Sequence, residues 1–103
     1  MSERLPVNVS PLAAAQVQAA EIWWRANRPK APGAIHAELE RASLLLALQP
    51  DIGARAVNIR LPGVRRLHLG RIRYDLYYRL AEEPRRLEIL AFWHASRGSR
   101  PPV

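Results

Sequence analysis

The sequence predicts an α+β fold in which a helical hairpin packs on one face of a small, mostly antiparallel sheet, in the order β-α-α-β-β-β. Three observations predict it. Apolar residues recur at helical spacing from Leu12 to Leu48. Beyond Gly53 the period falls to two. Pro29, Pro50 and the pairs Pro62-Gly63 and Glu83-Pro84 punctuate the chain where one element must give way to the next. The chain has 103 residues, room for one core, so 1–103 reads as a single domain.

Each element has a local reason. In 5–9, Val7 and Val9 alternate against Pro6 and Asn8, as in a first or edge strand. Ser10-Pro11 reads as a helix N-cap with proline at the first helical position. Leu12, Ala15, Ala19, Ile22, Trp23 and Ala26 follow on one face. That helix is expected to end near Asn27, because Pro29 disfavours helical backbone at Arg28. A second helix is expected from about Ala31-Pro32, with Ile35, Leu39, Ala42 and Leu46 as its stripe and Leu45 and Leu48 widening it. Pro50 stops it, and the short link makes the two helices an antiparallel hairpin.

Val57 and Ile59 alternate in a short segment before the Leu61-Pro62-Gly63 turn. The next strand, 64–69, places Leu67 and Leu69 on one side and Arg66 and His68 on the other. A longer strand points Ile72, Tyr74, Leu76, Tyr78 and Leu80 at the core and Arg71, Arg73, Asp75, Tyr77 and Arg79 away from it. Glu82, Glu83 and Pro84 turn the chain into 87–93, apolar on both faces as a central strand is. The core is expected over about 5–95, and 96–103 as a flexible tail.

Composition narrows the function. Apolar residues make up 49% of the chain and charged residues 24%, a globular balance. No apolar run is long enough to span a membrane, and no signal core follows Glu3 and Arg4, which points to a cytoplasmic protein. The absence of cysteine removes disulfides, thiolate nucleophiles and zinc-thiolate sites. No Gly-rich phosphate loop, no His-Glu-x-x-His and no serine nucleophile signature is present, so no cofactor is expected. The net charge is +7, and fifteen of the sixteen basic residues are arginine. GC-rich coding explains arginine over lysine but not base over acid. Such a surface attracts a polyanion, nucleic acid or an acidic protein.

The chemistry-bearing residues gather on the expected basic face: Arg66, His68, Arg71, Arg73, Tyr77 and Arg79, with His94 and Arg97 at the exit of the last strand; Arg65 is counted with the expected partner or target surface. Asp75 is the one carboxylate there and is expected as an ion-pair partner. His36 is expected on the wet side of the second helix. Of the pair Trp23 and Trp24, one is expected in the hairpin core and the other on its flank, open to a partner; Trp24 is taken as the partner-facing one.

In this order the sequence resembles the ParE/RelE family of bacterial toxins from type II toxin–antitoxin modules, over about 5–100. The resemblance rests on Leu46-Ala47-Leu48-Gln49-Pro50-Asp51-Ile52-Gly53 and Gly63-Val64-Arg65-Arg66-Leu67. It rests above all on Arg73-Tyr74-Asp75-Leu76-Tyr77-Tyr78-Arg79-Leu80 and Leu87-Glu88-Ile89-Leu90-Ala91-Phe92-Trp93-His94, then Arg97. It implies a cognate antitoxin, ParD-like or similar, in a hetero-oligomeric complex. ParE-like members poison DNA gyrase; RelE-like members cut mRNA on the ribosome with basic and aromatic residues of the sheet. Arg66 and His68 fall where RelE carries lysines, but Asp75 stands where an important arginine of the nuclease does. A carboxylate there repels the scissile phosphate. The patterns Val64-Arg65-Arg66-Leu67, Leu76-Tyr77-Tyr78-Arg79 and His94-x-x-Arg97 are closer to ParE, so gyrase inhibition without catalytic residues is the favoured expectation. In the alternative, His94 is the acid or base, Arg66, Arg73 and Arg79 clamp the phosphate, and His68 assists. A non-toxic nucleic-acid-binding module is the remaining reading.

Overall fold

The computed structural model describes residues 5–57, 59–96 and 101–103. Its elements are β1 (Val7–Val9), α1 (Pro11–Asn27), α2 (Ala34–Leu48), β2 (Ala54–Arg55), β3 (Arg65–Leu69), β4 (Tyr74–Ala81) and β5 (Arg86–His94). The expected order stands, with the two-residue β2 added. The sheet runs β1-β5-β4-β3-β2, parallel between β1 and β5 and antiparallel elsewhere. None of the described helices is long and apolar enough to cross a membrane.

Local chemistry sets the boundaries. The Ser10 hydroxyl accepts from the Ala13 N–H at 3.1 Å, and Pro11 opens α1. The helix stops where Arg28 leaves helical geometry ahead of Pro29. The second helix begins at Ala34, three residues later than expected. Ala31 is held in the link between the helices, its carbonyl accepting from the Ala34 N–H and the Trp24 indole. Ile72 is buried as expected, although β4 begins only at Tyr74. The segment 70–73 is a turn, closed by the Ile72 and Arg73 N–H groups on the Leu69 carbonyl. The alternation at Val57 and Ile59 does not form a strand; pairing with β3 occurs earlier, at Ala54 and Arg55.

The helices cover one sheet face. Ala13, Ala20, Ile35, Ala42 and Leu46 pack there against Leu69, Ile72, Leu76, Tyr78, Leu87, Ile89 and Phe92. The opposite face carries a second core that the period-two reading missed. Val64, Tyr77, Leu90 and Ala91 are buried under Ala56, Ile59, Leu61, Trp93 and Val103. Of the end expected as a flexible tail, 97–100 lie outside the described residues, and the last three residues help close this core: Pro101 is buried, and the Arg60 N–H donates to the Val103 carbonyl at 3.2 Å.

A bulge in β5 explains its apolar character on both sides. Tyr77 lies opposite Ala91 and Tyr78 opposite Ile89, which leaves Leu90 as an extra residue. Below the bulge Leu87 and Ile89 face the helices; above it Phe92 does. β1 ends at Val9, so the free edge of β5 is completed by α1. The Ser10 N–H donates to the Ile89 carbonyl at 2.9 Å, and the Phe92 N–H donates to the Gln16 side-chain oxygen at 2.8 Å.

Candidate functional site

The expected basic face is split in two, by the bulge, which turns His94, and by the 70–73 turn, which takes Arg71 and Arg73 out of the strand. Arg66, His68, Asp75, Tyr77 and Arg79 lie on the face away from the helices, beside the second core. Above the bulge, His94 is turned to the helical side, where its ring meets the edge of Tyr74 at 5.0 Å. The single surface foreseen from the sequence is therefore not formed.

On the outer face most of the polar groups satisfy one another. His68 and Asp75 are cross-strand neighbours, and Nδ1 of His68 lies 2.8 Å from Oδ1 of Asp75. Asp75 thus has a side-chain partner on this face, a histidine held by a hydrogen bond. The Arg79 guanidinium donates to Glu88 at 2.8 Å and Arg86 to the other oxygen at 3.0 Å. The Arg79 hydrogen bond above all, then Arg86, holds the Glu88 carboxyl below its ordinary value, against some desolvation. Arg79 is committed to this pair rather than free for a phosphate. Arg65 is also a structural cation: it donates to the Gly53 carbonyl at 2.7 Å and lies 3.9 Å from the Asp51 carboxylate. Tyr77 is only 6% exposed, a core residue rather than a contact residue. Arg66, opposite Tyr77, is exposed and makes no ion pair among the described residues.

On the helical side, Arg73 and His94 line an open cavity of about 400 Å³ with Trp23, Trp24, Arg28, Arg71, Ile72, Tyr74 and Ser96. It forms where the C-terminal end of α1 meets the turn before β4 and the end of β5. The Trp24 indole N–H donates to the Ala31 carbonyl at 2.8 Å, and the ring packs against the core. Trp23, not Trp24, is the outward residue, at 48% exposure. It meets Trp24 edge-on at 6.2 Å, and the Arg28 guanidinium lies 6.0 Å from its centroid. Tyr74 stacks flat on Phe92 at 4.4 Å, so the β-strand wall is a rigid ring surface. Nδ1 of His94 is engaged by Ser96, accepting from its N–H at 3.2 Å with the hydroxyl oxygen 2.6 Å away.

Arg73 holds a left-handed backbone, φ 60°, unusual for a residue with a side chain. Both its backbone groups are engaged, the N–H with the Leu69 carbonyl at 2.8 Å and the carbonyl with the Ala95 N–H at 2.9 Å. Arg71 reaches Glu38 at 3.6 Å, and Glu38 is shared with Arg41 at 3.3 Å. Among the described residues, no carboxylate lines the cavity itself.

The sequence reading named Arg73 and His94 but grouped them with the wrong neighbours, and it missed the participation of Arg28 and Tyr74. The one signal available was the run from Leu87 to Trp93, whose two-sided apolarity marks a break in alternation as well as a central strand. Arg97 lies outside the described residues.

Residues 7–98 match the family model described as the ParE toxin of type II toxin-antitoxin system, parDE. A solved chain from the chromosomal ParDE TA system of P. aeruginosa superposes with a TM-score of 0.72 at 22% identity, covering 90% of this chain and 98% of that one. At that identity the likeness speaks for the fold. No curated protein matches the sequence. With the family model matched from β1 through β5, the chain belongs to the ParE toxin family of type II toxin–antitoxin systems.

Proposed function

We propose that this ParE-family toxin inhibits DNA gyrase in the cytoplasm and is neutralised by a cognate antitoxin. The observation that carries gyrase over RNA cleavage is the separation of the nuclease candidates. His94 and Arg73 lie on the helical side, while Arg66, His68 and Arg79 lie on the other. A general acid and a phosphate clamp must meet within hydrogen-bonding reach of one phosphodiester, and residues on opposite faces of a sheet do not. Of that outer set, His68 faces the Asp75 carboxylate and Arg79 is held by Glu88.

An antitoxin is supported by apolar surface on the helical layer. Val9, Val17, Leu39 and Ile89 line an open groove between α1, α2 and β1, and Leu44, Leu45 and Leu48 stand exposed along α2. The +7 charge favours an acidic partner, and the solved relative comes from a ParDE system.

The test is expression of the chain alone, beside the purified chain assayed with gyrase and supercoiled DNA. Filamentation, an SOS response, inhibited gyrase and intact mRNA are expected, with rescue by the neighbouring antitoxin. His94→Gln is expected to keep most of its toxicity, whereas a nuclease using His94 as acid or base loses two to four orders of magnitude in rate. A folded His94→Gln that loses toxicity and mRNA cleavage together overturns the gyrase reading. Nucleic-acid binding with a steep salt slope and no effect on growth supports the non-toxic module instead.

A further inference from the structure

We propose that the cavity between α1 and the ends of β4 and β5 is a binding site for a nucleoside phosphate, free or as one unit of a single-stranded nucleic acid. The inference stands apart from the enzyme the toxin inhibits, so gyrase inhibition neither requires it nor fails with it.

Charge comes first. Arg28, Arg71 and Arg73 converge on one opening with no carboxylate in its lining among the described residues. Glu38 pairs with Arg71 and with Arg41 outside the cavity, which leaves Arg28 and Arg73 with no acidic partner among the described residues. Arginine forks of this kind recognise the oxygens of a phosphate. His94 lines the same opening, its Nδ1 engaged by Ser96.

Ring surface comes second. Trp23 is 48% exposed at the mouth, and Tyr74 is held flat by its stack on Phe92, 4.4 Å between centroids with 4° between planes. An exposed indole beside arginine is the surface on which a nucleobase stacks, whatever its identity. A volume of about 400 Å³ lies near the lower end of small-molecule sites, roughly 300–1,000 Å³. A carboxylate peptide would satisfy the arginines but leave the ring surface without a flat partner, so the nucleotide is the better match.

The backbone comes third. The φ of 60° at Arg73 is retained although both its backbone groups are tied by hydrogen bonds to Leu69 and Ala95. Such a conformation is costly for arginine and is the kind of local strain that functional sites retain.

The purified chain is titrated with dAMP, deoxyadenosine, inorganic phosphate, a ten-residue oligodeoxyadenylate and a glutamate-rich peptide, followed by tryptophan fluorescence and calorimetry. Saturable binding of dAMP is expected, at least tenfold tighter than deoxyadenosine or phosphate alone. Trp23→Ala, at an exposed position, is expected to weaken it about tenfold by removing the stack. Arg73→Asn keeps a residue that tolerates the left-handed backbone and is expected to weaken it similarly. Arg55→Gln removes the same charge on β2 and is expected to change affinity less than twofold. Tighter binding of the oligonucleotide than of dAMP identifies a nucleic-acid strand as the source; equal binding identifies the free nucleotide. No saturable dAMP binding, binding indifferent to both variants, or saturation by the peptide alone overturns the proposal.

Discussion

Gly53 and Tyr78 show how closely single residues are fitted. The Tyr78 hydroxyl donates to the Pro50 carbonyl at 2.8 Å and accepts from the Gly53 N–H at 2.9 Å. Burial, the largest influence, raises the Tyr78 pKa despite that Gly53 bond and the nearby Arg65. A Cβ on Gly53 would sit 2.5 Å from this hydroxyl and 3.0 Å from the Arg66 carbonyl. Gly53→Ala is therefore expected to cost about 2 kcal/mol, read from the midpoint of urea unfolding. Tyr78→Phe removes the hydroxyl but strands a buried N–H, costing about 1–3 kcal/mol. The two are expected to be non-additive, with Gly53→Ala less harmful in the Tyr78→Phe background. Additive losses would mean that the clash lies with the ring carbon Cε1, 2.8 Å away and kept by phenylalanine, or with the Arg66 carbonyl, rather than with the hydroxyl.

The Glu88 pair gives a pH dependence of known sign. Its folded pKa is depressed, so its contribution is present in full above the ordinary value of 4.5 and is lost as pH falls through the lower, folded value. The stability gap between the native chain and Glu88→Gln is expected to be no more than about 1 kcal/mol near neutrality, because the pair is partly open to water. It is expected to shrink on acidification below that value. A gap that widens on acidification contradicts the assignment.

At the scale of elements, the bulge at Leu90 governs the site. It lets β5 supply Leu87, Ile89 and Phe92 to one core and Leu90 and Ala91 to the other. It also carries His94 to the helical side. The edge that β1 leaves open is sealed by Ser10 and Gln16 from the start of α1. Gln16→Ala is expected to cost about 1–2 kcal/mol by stranding the Phe92 N–H and to speed its hydrogen exchange selectively. Unchanged protection at Phe92 would show that the side chain is not what closes this edge. α1 was legible because Ser10-Pro11 and Pro29 mark it locally, and the hairpin because its apolar spacing is regular. The bulge was not, since Leu-Glu-Ile-Leu-Ala-Phe-Trp is compatible with either phase of a two-sided strand.

For the molecule as a whole, the sheet is covered twice, by helices on one face and by Ala56, Ile59 and Leu61 with Val103 on the other. Removing Pro101, Pro102 and Val103 is expected to lower stability by about 1–2 kcal/mol, through exposure of the second core, while leaving helical content unchanged by circular dichroism. No loss of stability would mean that the second core is closed by Ala56, Ile59 and Leu61 without the last three residues. The sequence by itself determined the α+β class, the helical hairpin, the family resemblance and the excess of positive charge, because these reside in local spacing, caps and composition. Only the tertiary structure decided which cations stand together. One extra residue in β5 reverses the facing of everything beyond it, and the partners of Arg65, His68, Arg79 and His94 are set by cross-strand register and chain crossings that no local pattern records.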